Sequence, residues 1–169
     1  MNVDANNPSY KVVKATKNDK KDILRFYKTQ HYPARYIGRD QCYFIKTDNL
    51  IIACAMISAG QEDGHYWLLH ALVTNISYRQ QGLASLLLQA IMSEKENTTN
   101  TQPINKLNLV TYPNIVCFAD AKLQPFYLAN GFIPYHTSNN IQQLPLEFQG
   151  RLLRYQEKQP SLCCYLYTA

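Results

Sequence analysis

Apolar residues recur along the chain in two rhythms. Leu83, Leu86, Leu87, Ala90 and Ile91 fall at i, i+3, i+4, i+7 and i+8, the spacing of one apolar helix face, so a helix is expected over residues 82–93. Upstream, residues 67–73 form an apolar run with a β-branched end. This predicts a strand reaching Thr74, with Leu68, His70, Leu72 and Thr74 on one face and Trp67, Leu69, Ala71 and Val73 on the other. The few residues between are polar, which makes this a strand-turn-helix unit. A second helix is expected from Thr16 to about Gln30. Thr16-x-x-Asp19 reads as a capping-box variant, Ile23, Phe26 and Tyr27 give the inner face, and Tyr32-Pro33 breaks the helix. A short helical turn is expected over residues 34–37, ahead of Gly38.

Strands are expected at residues 10–15, 42–46 and 50–58, the last two joined by the hairpin signal Thr47-Asp48-Asn49. Residues 51–57 are apolar on both faces, as in a strand covered on both sides. Gln61-Glu62-Asp63-Gly64 turns the chain again, and residues 94–103 read as a polar loop. The following strand is either 107–112 or 114–119. The second is preferred, because Asp120 then caps the next helix directly and no long unstructured loop is needed. That helix is expected at residues 121–130, with Pro125 in its first turns, Gly131 ending it, and Leu123, Phe126 and Tyr127 as its buried stripe. A strand at 132–135, a polar stretch at 142–149 and a last strand at 162–167 complete a mixed α/β pattern.

With 169 residues, 46% hydrophobic and 17% charged, the chain has the size of one domain, residues 1–169, and residues 1–9 read as a loose terminus. No apolar run is long enough to cross a bilayer, and the N-terminus lacks the basic start and apolar core of a signal peptide. A cytoplasmic protein with reduced thiols and no membrane partner is therefore expected. The five cysteines show no C-x-x-C spacing, so no metal site is expected, and Cys54 and Cys117, inside apolar runs, read as core thiols. Cys163 and Cys164 would point to opposite faces of a strand. The net charge of +5 is concentrated at the N-terminus, where residues 1–46 hold ten Lys/Arg against four Asp/Glu. Lys17, Lys20 and Lys21 read as a solvated helix face, and no basic motif interleaved with aromatics points to nucleic acid.

The start of the 82–93 helix is where chemistry enters. A helix's first turn leaves backbone amides unpaired at the positive end of the macrodipole, which suits phosphate. Gly82 lets a ligand approach the backbone and Ala84 keeps the approach open. Arg79-x-x-Gly82-x-Ala84 resembles the pyrophosphate loop Q/R-x-x-G-x-G/A of the GNAT superfamily of acetyl-CoA-dependent N-acetyltransferases. Phe126-Tyr127-Leu128-Ala129-Asn130-Gly131-Phe132 is similar to the F-Y-x-x-x-G-F signature of the same superfamily, in the same order. The resemblance covers most of residues 10–135. It implies a mixed, mostly antiparallel sheet of about six or seven strands flanked by helices, with strands 4 and 5 splayed apart.

The resemblance also implies acetyl-CoA as acetyl donor. Leu72, Val73 and Thr74 would pair with the pantetheine arm, and Arg79, Gln80, Gln81, Gly82, Leu83 and Ala84 would hold the pyrophosphate. Asp120 stands where the family often has an asparagine that contacts the coenzyme, a departure that helix capping accounts for. Tyr127 maps onto the family's general acid, and a phenol with a reference pKa of about 10 can supply a proton at neutral pH. The family's strand glutamate, its usual base, has no counterpart. His70, with a reference pKa of about 6.5, is the candidate base. Glu62, Asp63 and His65 are rivals, and a water chain could replace any dedicated base. The expected activity is acetylation of a primary amine of a small metabolite by a monomer or homodimer. A protein or peptide amine, or a catalytically silent acetyl-CoA sensor, is the alternative.

Overall fold

Seven strands form one sheet in the order β1-β2-β3-β4-β5-β7-β6 in a computed structural model that describes residues 9–35, 40–62, 65–93 and 114–168. The strands are β1 Val12–Lys14, β2 Gln41–Thr47, β3 Leu50–Ala59, β4 Tyr66–Thr74, β5 Asn114–Asp120, β6 Ile133–Pro134 and β7 Leu162–Tyr167. All neighbours are antiparallel except β4 and β5. The β2–β3 hairpin turns on Asp48 and Asn49, with φ of 47° and 63°, the left-handed pair that a tight primed turn requires.

The parallel pair opens partway. β4 and β5 are in register from Tyr66↔Asn114 to Leu69↔Cys117. Beyond that point β4 runs on to Thr74 while β5 continues to Asp120 paired with β7 alone. The sheet is thus the expected mixed, mostly antiparallel one, forked between strands 4 and 5.

Just past the fork lies a β-bulge. Met56 pairs with His70 but Cys54 pairs with Val73, so Ala71 and Leu72 share the place opposite one residue, and Ala71 has φ of 53°. The extra residue breaks the alternation of faces. Ala71 packs with the first helix's core, whereas Leu72 packs on the opposite face with Trp67 and Leu69. The expected single face of Leu68, His70, Leu72 and Thr74 is corrected accordingly: His70 is separated from Leu72 and Thr74 by the bulge.

Three helices lie on one face. α1 Lys20–Thr29 follows a 3-10 turn at Lys17–Asp19 and buries Ile23, Phe26 and Tyr27 against Phe44, Cys54, Met56 and Ala71. Its capping box forms as expected, with the Thr16 amide and hydroxyl donating to Asp19 at 2.8 and 2.9 Å. On the same face, α4 Ser138–Gln142 leads to α5 Leu146–Lys158, whose Phe148 and Leu152 pack on Leu68, Val116, Cys164 and Leu166. These two helices, Ser138–Gln142 and Leu146–Lys158, stand where the sequence showed only a polar stretch at 142–149. The other face is covered by α2 Leu83–Ser93, through Leu83, Leu87, Leu88 and Ile91, and by α3 Gln124–Ala129, through Tyr127. Leu123 is 47% exposed rather than part of the buried stripe, because the 3-10 turn Ala121–Leu123 before α3 rotates it off that face. Gly131, with φ of 84°, ends α3 as expected.

Cys54 and Cys117 are buried, as expected of core thiols, and so is Cys42, whose sulfur lies 3.1 Å from that of Cys54. The expected loop at 94–103, the alternative strand at 107–112, part of the helical turn at 34–37 and part of the 61–64 turn lie outside the described residues.

Candidate active site

Three features converge where β4 parts from β5. The first is the loop that follows β4. A 3-10 turn at Ile76–Tyr78 is capped by Asn75, whose side chain accepts from the Ser77 amide at 2.9 Å. Gln80 and Gly82 then take left-handed conformations, with φ of 63° and 77°. The Gly82 carbonyl accepts the first helical bond, from the Leu86 amide at 3.0 Å, so the amides of the residues between belong to the unpaired first turn. A Cβ on Gly82 would meet nothing within 4 Å, so the backbone there faces open ground, and the left-handed φ is what asks for glycine. The Arg79 guanidinium donates back to the Thr74 carbonyl at 3.4 Å, and the Tyr10 hydroxyl donates to Gln81 at 2.8 Å.

The second feature is a polar cluster on the α1 and α5 face. His70 stands one residue beyond the last β4–β5 pair. Its Nε2 lies 3.0 Å from the Ser58 hydroxyl and 3.3 Å from Oδ1 of Asp40, while Ser58 also donates to Oδ1 of Asp40. The Asp40 side chain is 1% exposed and that of His70 27%. A carboxylate buried to that degree is tolerated only with partners, and the imidazole and hydroxyl are such partners. The network also selects a tautomer. Because the Ser58 proton goes to Asp40, both contacts to Nε2 require a proton on Nε2, which leaves Nδ1 of neutral His70 as the basic atom.

Asp40 and Ser58 also line a cavity of about 60 Å³ together with Gly60, Glu147, Phe148 and Arg151, among others. Its rim is held by reciprocal bonds between the β3–β4 turn and α5. Glu147 Oε1 accepts from the amides of Gln61 and Glu62 at 2.6 and 3.2 Å, and Glu62 accepts from the Glu147 amide at 3.0 Å. Glu62 is thereby occupied at the start of α5, His65 is exposed, and Asp63 lies outside the described residues.

The third feature is Tyr127, on the other face. Its ring is 4% exposed, stacked on Tyr165 at 5.0 Å and flanked edge-on by Phe126 and Phe132. Burial is the first cause pushing its pKa well above that of an ordinary phenol, so the hydroxyl stays protonated. Cys117, the β5 residue at the last parallel pair, shares the core cluster of Tyr127, and burial pushes its thiol up to about 12. Tyr127 and His70 therefore flank the fork from opposite faces, one next to Cys117 and the other next to Leu69. Leu72, Val73 and Thr74 lie on the β4 segment that has no partner in β5.

Asp120 stands apart from both. Its Oδ1 accepts from the Lys122 amide at 2.9 Å and its Oδ2 from the Ser161 hydroxyl at 2.7 Å, and these bonds, led by the backbone one, hold its carboxyl below the usual range. The capping role expected of it is present. Asp40 and Ser58 were missed by sequence reasoning. For Ser58 a signal existed: counting outward from the 61–64 turn places it diagonal to His70, through the pairs Met56↔His70 and Ser58↔Leu68. Asp40 carries no such local mark.

Residues 38–134 match the family model of the acetyltransferase (GNAT) domain. A sequence search of curated proteins gave no significant match. Among solved structures, Escherichia coli ElaA is similar at a TM-score of 0.62 and 14% identity, over 94% of this chain and 99% of that one. Arabidopsis thaliana Naa50, solved in complex with the bisubstrate analogue CoA-Ac-MVNAL, gives 0.61 and 12% over 95% and 99%. N-acetylglutamate synthase from Neisseria gonorrhoeae, complexed with coenzyme A and N-acetyl-glutamate, gives 0.62 and 12% over 94% of this chain, which spans 34% of the synthase. At such identities the likeness establishes a common fold.

Proposed function

The chain belongs to the acetyltransferase (GNAT) domain family, and we propose that it carries the acetyl group of acetyl-CoA to the primary amine of a small metabolite. The observation that carries this reading is His70, oriented by Asp40 and Ser58, at the point where β4 leaves β5. A base with a free ring nitrogen beside an open sheet fork is what a transfer to an amine needs, because the amine attacks only when neutral.

The coenzyme fits the residues present. The stretch Leu72, Val73 and Thr74, which has no partner in β5, would hold the pantetheine arm along that open edge as an added strand does. Amides from Arg79, Gln80, Gln81, Gly82, Leu83 and Ala84 would hold the pyrophosphate, with the left-handed Gln80 and Gly82 and the open ground above Gly82 in support. Asp120, whose two oxygens are already engaged, would contribute through the position of α3. When bound, acetyl-CoA supplies an acetyl group already activated as a thioester.

The chain's own groups then handle protons. Nδ1 of His70 takes the proton that the amine sheds, and the buried carboxylate of Asp40 stabilises the imidazolium that results. Tyr127, held protonated by burial, gives a proton to the departing sulfur. The small cavity beside Asp40 and Ser58 favours an acceptor of metabolite size.

Thiol release from acetyl-CoA with a panel of small amines and peptide N-termini, alongside calorimetry of acetyl-CoA binding, tests the proposal. Turnover with small amines is expected. Turnover with peptides alone would move the assignment to a peptide acceptor, binding without turnover would make the protein a sensor, and no binding would overturn the scheme.

A further inference from the structure

The charges around the acceptor cavity are unequal in their commitments. Three ionisable side chains among its described lining residues are Asp40, Glu147 and Arg151. Asp40 is engaged by His70 and Ser58. Glu147 is engaged by the backbone amides of Gln61 and Glu62, which draw its carboxylate toward the β3–β4 turn. Glu147 and Arg151 stand four residues apart on α5, a spacing that normally favours an ion pair. No such pair is present among the described salt bridges, which join Arg25 and Lys46 to Asp22 and His70 to Asp40. Arg151 thus lines the cavity, and its guanidinium has no hydrogen-bonded or ionic partner among the described residues.

A guanidinium is a planar fork of donors that matches a carboxylate, and it does not lose its charge at any working pH. Asp40 and Ser58, the two groups that orient His70, line the same cavity. A molecule filling this space is bounded by Arg151 and by the two groups that hold the imidazole.

We propose that Arg151 binds a carboxylate of the acceptor, and that the acceptor is a small amino acid whose amine projects from the cavity past Asp40 and Ser58 to Nδ1 of His70. This rests on the acetyl-transfer reading given above and narrows its substrate class. The geometry of the cavity sets the size. Gly60 forms part of the lining, and a Cβ there would lie 2.9 Å from Glu147 Oε1 and from the Tyr66 carbonyl, with the Phe148 ring at 3.0 Å. The turn and α5 are therefore in close contact, and the space they enclose with Asp40 suits a few heavy atoms beyond the amine.

The test compares kcat/KM for each of a set of amino acids with that for two relatives lacking the charge: the decarboxylated amine and the amino-acid amide. The two controls bracket the amine's basicity. A simple alkylamine holds its proton more tightly than an amino acid does, whereas an amide's α-amino group, near the reference value of about 8, sheds it more readily. Were the carboxylate irrelevant, the amide would react fastest. The expected result is that at least one amino acid exceeds both relatives by roughly 10- to 100-fold, the range of a charge-assisted contact. In Arg151→Ala the ratio of amino acid to amide should collapse to one or below, and Arg151→Lys should restore part of it, which separates loss of the contact from a folding defect.

Turnover of plain amines and amides at rates equal to those of the amino acids would overturn the carboxylate assignment and leave acetyl transfer standing. A preference for amino acids that survives in Arg151→Ala would overturn the role of Arg151. Absence of turnover with every amine would overturn this inference together with the acetyl-transfer reading.

Discussion

The phenol of Tyr27 donates a 2.6 Å hydrogen bond to the carbonyl of Ala71, 44 residues away. This bond holds the β4 bulge. An extra residue in an antiparallel pair leaves a backbone group outside the ladder, and Tyr27, 1% exposed, satisfies it from α1. Tyr27→Phe removes the donor and leaves a buried carbonyl without it, so urea denaturation should show a loss of about 1–3 kcal/mol. Ala71→Val should cost more than Ala71→Gly, since a β-branched residue strongly resists the left-handed φ that glycine adopts freely.

His70→Ala should lower kcat by on the order of 10²-fold or more, the range for a general base, and should also lower the melting temperature, because the buried Asp40 carboxylate loses a partner. Asp40→Ala should lower kcat in the same direction and by less, and Ser58→Ala by less again. Steady-state kinetics alongside thermal melts check the order. Equal activity in His70→Ala would remove the histidine from the mechanism.

Tyr127→Phe keeps the ring that stacks on Tyr165 and removes only the hydroxyl. The fold should persist while kcat falls by about 10²-fold, across about pH 6 to 9, as expected for loss of a general acid. A near-normal kcat over that range would end the assignment.

Acid stability should depend on two caps. Asp19 has its carboxyl lowered, first by the Thr16 backbone bond, and Asp120 has its carboxyl lowered, first by the Lys122 backbone bond. A carboxyl that binds protons less readily when folded contributes stability that is complete above its unfolded value of about 3.9. That contribution is lost as pH falls through the lower folded value. Urea midpoints should therefore decline as pH drops below about 5, and the double variant Asp19→Ala/Asp120→Ala should start lower and decline less. An identical pH dependence in the double variant would show that other groups govern it.

What was legible in the sequence is what is local. The Thr16–Asp19 box, the Asp120 cap and the last strand at Leu162–Tyr167 each depend on residues a few positions apart, and each stands where expected. α5 was not legible because its apolar residues contradict its geometry. Leu146 and Leu153 are 74% and 63% exposed, so only Phe148 and Leu152 keep the helical spacing. The reversal of faces after His70 was hidden for a different reason: alanine carries no preference for a positive φ, and the cause lies in Tyr27, far off in sequence. The same distance hid the site's orienting carboxylate. Asp40 and His70 are 30 residues apart, and only the strand register brings them together.

The matched family segment, residues 38–134, ends before α4 and α5 begin. The helix that bears Glu147 and Arg151 nevertheless packs on Leu68 and Val116 of the strands that form the fork, and on Cys164 and Leu166 of β7. Under the proposed reading, substitutions at Arg151 should change which amines are accepted while acetyl-CoA binding at the loop around Gly82 is unaltered. Because Glu62 and Glu147 each accept from the other segment's backbone, the start of α5 and the shape of the β3–β4 turn are set together, and a change in either carboxylate reshapes one wall of the cavity.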